Sequence, residues 1–476
     1  MVGVGIILHL LPGKRYNPDM IRRTLAHLLL VLILLALLAA CSQTSMDSGD
    51  PGDGGFRIIT ATPRATAIPT ATPTPVVPVL DMAEFSGVEV VLWYASDPTA
   101  PDLIASRLAW FNQENEYGIT VTGRNLFYPN DLGAAVNAAI GSGQTPHVVL
   151  AEPYQYLPWV ALEEVVDLSP YLQNPAYGIS IEDYYPEILG RDDFFDGRWG
   201  FPGLFSGQVM LYNQTWAGEL GFPAVPETAA VFQRQACAAH EANRDRTGGW
   251  IIDPSPGGAT AWLLSFDPAL DQLLDFKSRE AEAAYTFLSE LYTEGCAWYP
   301  LAAYPDEDFA LRQGLFYAVD TRDIGYVAGA FDLANSGDEW TAIGYPNPQG
   351  EPVISLSGQS YVVLKSDVKT QIAAWLLIRA LTGTESQTAL AKSGLYLPLD
   401  RETAAELLEN ESLPSAWRDA LALLDQGVVE PPIQQWGVLR SVLQDAQAEV
   451  LDERFVPGTM SLFLDRLDSL VEEILQ

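Results

Sequence analysis

Sixty-one carboxylates give this chain ample material for acid–base chemistry, yet their spacing singles out no catalytic pair. A glycosidase-type carboxylate pair could be drawn from so many acids in any number of ways. His9 and His27 precede Cys41, which leaves His147 and His240 without metal-ligand spacing. Nucleophile elbow, zinc-helix and phosphate-loop patterns are all missing. "GSGQTP", from Gly141, reads as a helix-to-strand turn and not as a dinucleotide fingerprint. Cys237 and Cys296 alone make a poor metal site. The sequence therefore points away from enzymatic activity, metal and cofactor, and toward binding.

Binding suits the residues that remain. Twelve Trp and twenty Tyr supply rings that can stack on flat apolar faces of a ligand, while Asp, Glu, Asn, Gln and Arg can grip its polar groups. The elements that must position them follow a clear beat. "GVEVVLWYAS" (87–96) is a buried strand, and Pro101, Leu103, Leu108, Trp110 and Phe111 fit a helix. "ITVTGRNL" is a second strand, "PNDLGAAVNAAIGSGQTP" a second helix and "HVVLAE" a third strand. Strand, helix, strand, helix, strand predicts an α/β layer on a mainly parallel sheet. Ligands of such sheets collect at the carboxyl ends of the strands, here Trp93, Tyr94 and Ser96, and Glu152 and Tyr154. Trp110, Phe111 and Trp375 read as core residues.

The first eighty residues read differently. Arg22 and Arg23 precede an apolar run, Leu25 to Ala40, that ends in small residues, the pattern of a secretory signal too short for a confident membrane span. The ending Leu38-Ala39-Ala40-Cys41 resembles a bacterial lipobox, which implies cleavage before Cys41 and lipid on its thiol. Residues 1–40 are thus a signal peptide, with Met20 a plausible true start. Residues 41–80 are a disordered tether, Gly/Asp/Ser-rich and then Thr/Pro-rich, able to reach on the order of 100 Å when extended. Without Cys41, an exported chain keeps Cys237 and Cys296, either as a disulfide or as two buried thiols. The net charge of −35 argues against nucleic acid and anionic lipid as partners.

From Gly87 onward the order "VVLWYAS … AWFNQENEYGITVTG … TPHVVLAEP … ALEEVVDLSPYL" resembles the extracellular solute-binding proteins of family 1. These are the binding components of ABC importers for sugars and related solutes. "GRWGFPGLFSGQVMLYNQTWAGELGFPAVPETAAVFQRQA" (197–236) is similar to the family's hinge strand and following helix. "FALRQGLFYAVDTRDIGYV", "SGQSYVVLKSD", "AKSGLYLPLD" and "PPIQQWGVLRSVLQDAQAEVL" follow in the family's order. The resemblance implies an α/β, two-lobed periplasmic-binding-protein-like fold of type II with crossing hinge strands. Lobe 1 would comprise 87–205 and 357–398, and lobe 2 206–356 and 399–476. Cys237 and Cys296 depart from most members and would staple a loop of lobe 2.

It further implies a monomeric receptor on the outer face of the cell membrane that closes on a solute and docks on an ABC permease. Candidate stacking residues are Trp93, Tyr94, Trp298, Tyr299, Tyr396 and Trp436. Candidate polar contacts are Glu152, Asp320, Arg322, Asp323, Gln359 and Ser360, with Gly358 giving close backbone approach at the hinge. A sugar or oligosaccharide is the leading ligand. A polyamine or phosphate ester on the same fold, and a stalked adhesin or enzyme, stay open.

Overall fold

The computed structural model describes residues 77–96, 102–244, 246–268 and 274–476. The chain divides into two units, Met1–Thr72 and Pro73–Gln476, and every described residue belongs to the second. The signal segment, Met20, Cys41 and most of the tether lie outside the described residues, as does Pro101.

The predicted α/β beat is present. Strand β1 (Glu89–Tyr94) leads to helix α1 (Leu103–Glu114), strand β2 (Thr120–Asn125), helix α2 (Pro129–Ser142) and strand β3 (Val148–Ala151). Asp102 caps α1 by accepting from the Ala105 N–H, which satisfies one orphan donor of the first turn. Gly143, at φ +66°, closes α2 in the left-handed conformation that glycine adopts without strain. Helix α3 (Pro153–Ala161) then starts immediately after Glu152.

Beside a separate two-stranded hairpin of Asp193–Phe194 and Gly197–Arg198, the remaining strands of the main sheet are β4 (Phe201–Asn213), β5 (Trp250–Ile251), β6 (Ala297–Trp298), β7 (Phe316–Asp320), β8 (Trp340–Ile343), β9 (Ile354–Val363) and β10 (Gly427–Val429). They form one ten-stranded sheet in the order β2-β1-β3-β9-β4-β7-β5-β6, with β8 on β4 and β10 on β9. The expectation of a mainly parallel sheet is corrected at the centre. β1 pairs β2 and β3 in parallel, and β5 pairs β6 and β7 likewise. Between these halves β9 runs antiparallel to both β3 and β4, and β4 antiparallel to β7 and β8. Two long strands of opposite direction thus bridge two parallel half-sheets.

The long helices that cover the sheet include α4 (Ala229–Ala242), α5 (Pro256–Phe266), α6 (Arg279–Thr293), α7 (Ile324–Ala334), α8 (Val368–Leu381), α9 (Trp436–Val450) and α10 (Met460–Leu475). One apolar cluster gathers β1, α1 and α8 around Trp375, which is fully buried. A second gathers α4, α5, α6, α9 and α10 around Trp262. Burying one large apolar side chain contributes about 1.5–3 kcal/mol, so each cluster is substantial on its own. Cys237 on α4 and Cys296, just before β6, are joined by a disulfide across a sequence separation of 59.

Candidate solute-binding cavity

The bridging strands make the floor of a cavity of about 960 Å³. Leu204, Phe205 and Ser206 of β4 lie there beside Ser357, Gly358 and Gln359 of β9. Gly358 is required by packing, because a Cβ would stand 2.2 Å from the Leu204 carbonyl oxygen. The β9–β4 register slips between Gln359 and Ser360, and a buried arginine holds this irregular stretch. Arg191 donates to the Gly358 carbonyl at 2.7 Å and to the Ser360 hydroxyl at 2.9 Å, with its guanidinium 4.5 Å from the Phe205 ring centre.

One wall carries Ser96 after β1, Phe127 and Tyr128 after β2, and Glu152 after β3; the other carries Arg322, Asp323, Tyr326 and Arg440. A second cavity of about 740 Å³ shares Tyr304, Arg322 and Asp323 with the first and adds Gln208, Asp253, Tyr299 and Asp320.

Both lining arginines are already neutralised. Arg440 of α9 donates to Glu152 at 2.7 Å and pairs closely with Glu430. Burial would depress its guanidinium, and the two carboxylates override this and hold it above its ordinary value. Arg322 forks onto Asp320 at 2.9 and 3.0 Å, and Asp320 also accepts from Ser206. Asp323 differs: no hydrogen-bond donor reaches its carboxylate among the described residues. Burial, and then the charge of Asp320, push it up to about 6 against the pull of Arg322.

Of the sequence candidates, Ser96, Glu152, Arg322, Asp323, Gly358, Gln359 and Tyr396 line the first cavity, and Tyr299 and Asp320 the second. Others stand elsewhere, for identifiable reasons. Tyr94 is buried because alternate residues of β1 face the core, and its hydroxyl donates to Asp102. Trp93 lies under the Arg124 guanidinium. Ser360 is fully buried on the far side of Gln359, and Trp436 is buried with its indole donating to Glu430. Trp298 packs against the first apolar cluster. Tyr154 packs beneath α9, so close that a Cβ at Gly437 would meet its ring at 3.0 Å.

The sequence reading missed Arg440, Phe127, Tyr128, Tyr304 and Tyr326. Arg440 had a signal, since it stands one helical turn after Trp436 and shares its face. The tyrosines and Phe127 lie on loops or helix starts with no periodic pattern to mark them.

The description "bacterial extracellular solute-binding protein" matches residues 107–419, more than half of the chain, including both strands of the cavity floor. The chain belongs to that family. Its fold is shared with solved structures at low identity. MalE, the sugar-binding protein of Xanthomonas citri, matches with a TM-score of 0.68 at 19% identity, over 82% of this chain and 97% of that one. The cyclic alpha-maltosyl-1,6-maltose binding protein of Arthrobacter globiformis gives 0.66 at 18%, over 82% and 99%. UgpB of Mycobacterium tuberculosis, solved with glycerophosphocholine, gives 0.64 at 14%, over 82% and 100%. Comparison with curated protein sequences gives no match.

This solute-binding protein therefore has the two-lobed α/β type II architecture. It is of the ABC-importer type, extracytoplasmic, and a binder and not an enzyme. Among the described residues no helix is long and apolar enough to cross a membrane.

Proposed function

We propose that this solute-binding protein is held at the membrane by lipid on Cys41 and captures a neutral, hydroxyl-rich solute, a sugar or oligosaccharide, for an ABC permease. The lipid reading rests on the Leu38-Ala39-Ala40-Cys41 pattern. The sugar reading rests on one observation above the rest. Arg322 and Arg440 are both engaged by carboxylates, so a phosphate ester would have to break an ion pair to find a cation. Acceptors that stay unengaged are the carboxylate of Asp323, at the junction of the two cavities, and the Gln208 side-chain oxygen in the second. A carboxylate without a donor suits a hydroxyl, and the exposed rings of Tyr128, Tyr304 and Tyr326 suit sugar faces.

The first cavity alone is near the top of the usual 300–1,000 Å³ for small-molecule sites, and its neighbour extends it. This favours an oligosaccharide over a monosaccharide. In the proposed cycle, contacts from both lobes favour closure over the solute.

A cationic amine is a second reading, favoured by Asp253, Asp306, Asp320 and Asp323 acting on one another around Arg322. Thermal melting against maltose, maltotriose, a cyclic tetrasaccharide, spermidine and glycerophosphocholine separates these cases. A ligand at a hundred times its Kd adds about 2.7 kcal/mol to the native state. Stabilisation by the saccharides supports the proposal; stabilisation by spermidine or glycerophosphocholine alone overturns it.

A further inference from the structure

We infer that Phe127 is a stacking platform for a flat, apolar ring face of the solute, such as the CH face of a pyranose; this rests on the sugar reading above. Phe127 lies just beyond β2 and lines the first cavity. Its φ is +64°, in the left-handed region that bulky L-residues avoid because Cβ crowds the following carbonyl.

The conformation is imposed by its neighbours. Asn125 accepts from the Phe127 N–H at 2.8 Å, and the Tyr128 N–H donates to the Leu126 carbonyl at 2.7 Å. Asn125 is fixed in turn, because its amide donates to Ser96 and to Asp102, both at 3.1 Å. Ser96 is itself a cavity residue.

Packing covers only part of this residue. Phe127 is 48% exposed, and among the described residues no aromatic or cationic side chain pairs with its ring. Phe195, the other exposed phenylalanine at positive φ, sits edge-on to Phe194 at 5.4 Å. A half-exposed aromatic held in a strained conformation on a cavity wall is the arrangement found at ligand clamps. Tyr128 follows it, 59% exposed, so two adjacent rings are available on this wall.

The test compares wild type with F127G, F127L and F127W in the purified protein, by thermal melting and by calorimetric titration with the three saccharides above. Glycine accepts φ +64° without strain, so F127G should melt at or above the wild-type temperature. It should nonetheless bind the saccharide about tenfold more weakly, the upper end of one stacking contact. F127L keeps bulk without a flat face and should lose as much, while F127W should bind within a few-fold of wild type. A lower melting temperature for F127G overturns the strain argument. Wild-type affinity in F127G or F127L overturns the platform and leaves the sugar reading standing. A wild type that binds none of the saccharides overturns both.

Discussion

Asp323 is the residue whose behaviour depends most on conditions. Its carboxyl is held near 6, well above its ordinary 3.8, by burial and by Asp320, with Asp306 and Asp253 adding and Arg322 opposing. The fold therefore binds this proton more tightly than the unfolded chain does. As pH falls through about 6 toward 4, protonation of Asp323 adds stability to the solute-free protein. Solute binding should move the opposite way, because a hydroxyl donates best to the ionised carboxylate. Titration of the saccharide at pH 7.5 and pH 5 should show weaker binding at the lower value, and D323N should be weak at both. An affinity that does not change with pH in wild type would separate Asp323 from the solute.

Arg440 carries a different expectation. Replacing it by Met leaves Glu430, with its side chain 6% exposed, and Glu152, at 15%, without their cation. Breaking a buried pair in this way costs about 3–5 kcal/mol, measurable by urea unfolding. Adding Glu430→Gln should recover part of the loss. At this scale the sequence was a partial guide. Glu152, Arg322, Asp323 and Gln359, chosen through strand ends and family order, line the first cavity. The sequence could not say that Tyr94 faces inward, which follows from the phase of a six-residue strand, nor find Phe127, whose position depends on a turn tied by a side chain.

Among the elements, β9 decides the most. Gly358 sits where β9 presses on β4, and G358A would place a methyl 2.2 Å from a backbone oxygen. Only movement of one strand relieves such a contact. Overpacking of this kind costs about 1–3 kcal/mol, and the displaced strand carries Gln359 on the cavity floor. G358A should thus lower both melting temperature and saccharide affinity, whereas glycine-to-alanine at Gly141, with nothing within 4 Å, should change neither by much. The first parallel half-sheet, β1 to β3, was legible from apolar runs and glycine stops. The antiparallel centre was not, because strand direction leaves no trace in periodicity. Residues 201–213 and 354–363 were expected to be crossing hinge strands only through the family resemblance; their own composition shows apolar stretches and no direction.

For the whole molecule, the disulfide and the charge set the operating range. The Cys237–Cys296 bridge ties α4 to the start of β6. By the chain-entropy relation, closing a loop of this length contributes about 4 kcal/mol. Urea unfolding with and without reductant should show a loss of this order, and the C237S/C296S pair should match the reduced protein. The charge of −35 keeps copies apart and, with a Debye length of about 8 Å at physiological ionic strength, leaves the buried Arg440 pairs largely unscreened. Composition made the charge plain. The bridge was one of two possibilities until the two sulfurs were located.

The antiparallel pairing of β3 with β9 also sets an order of assembly. β3 ends at Ala151, and its partner Ser360 lies far downstream. A growing chain carries β3 with an unpaired edge until β9 has been made. Such an edge invites pairing with other chains, and contacts this distant in sequence slow folding. A fragment ending before Ile354 would keep the open edge for good. The floor of the cavity is therefore also the last piece that lets the first half of the protein close, so that a copy able to hold solute is one whose synthesis has run past β9.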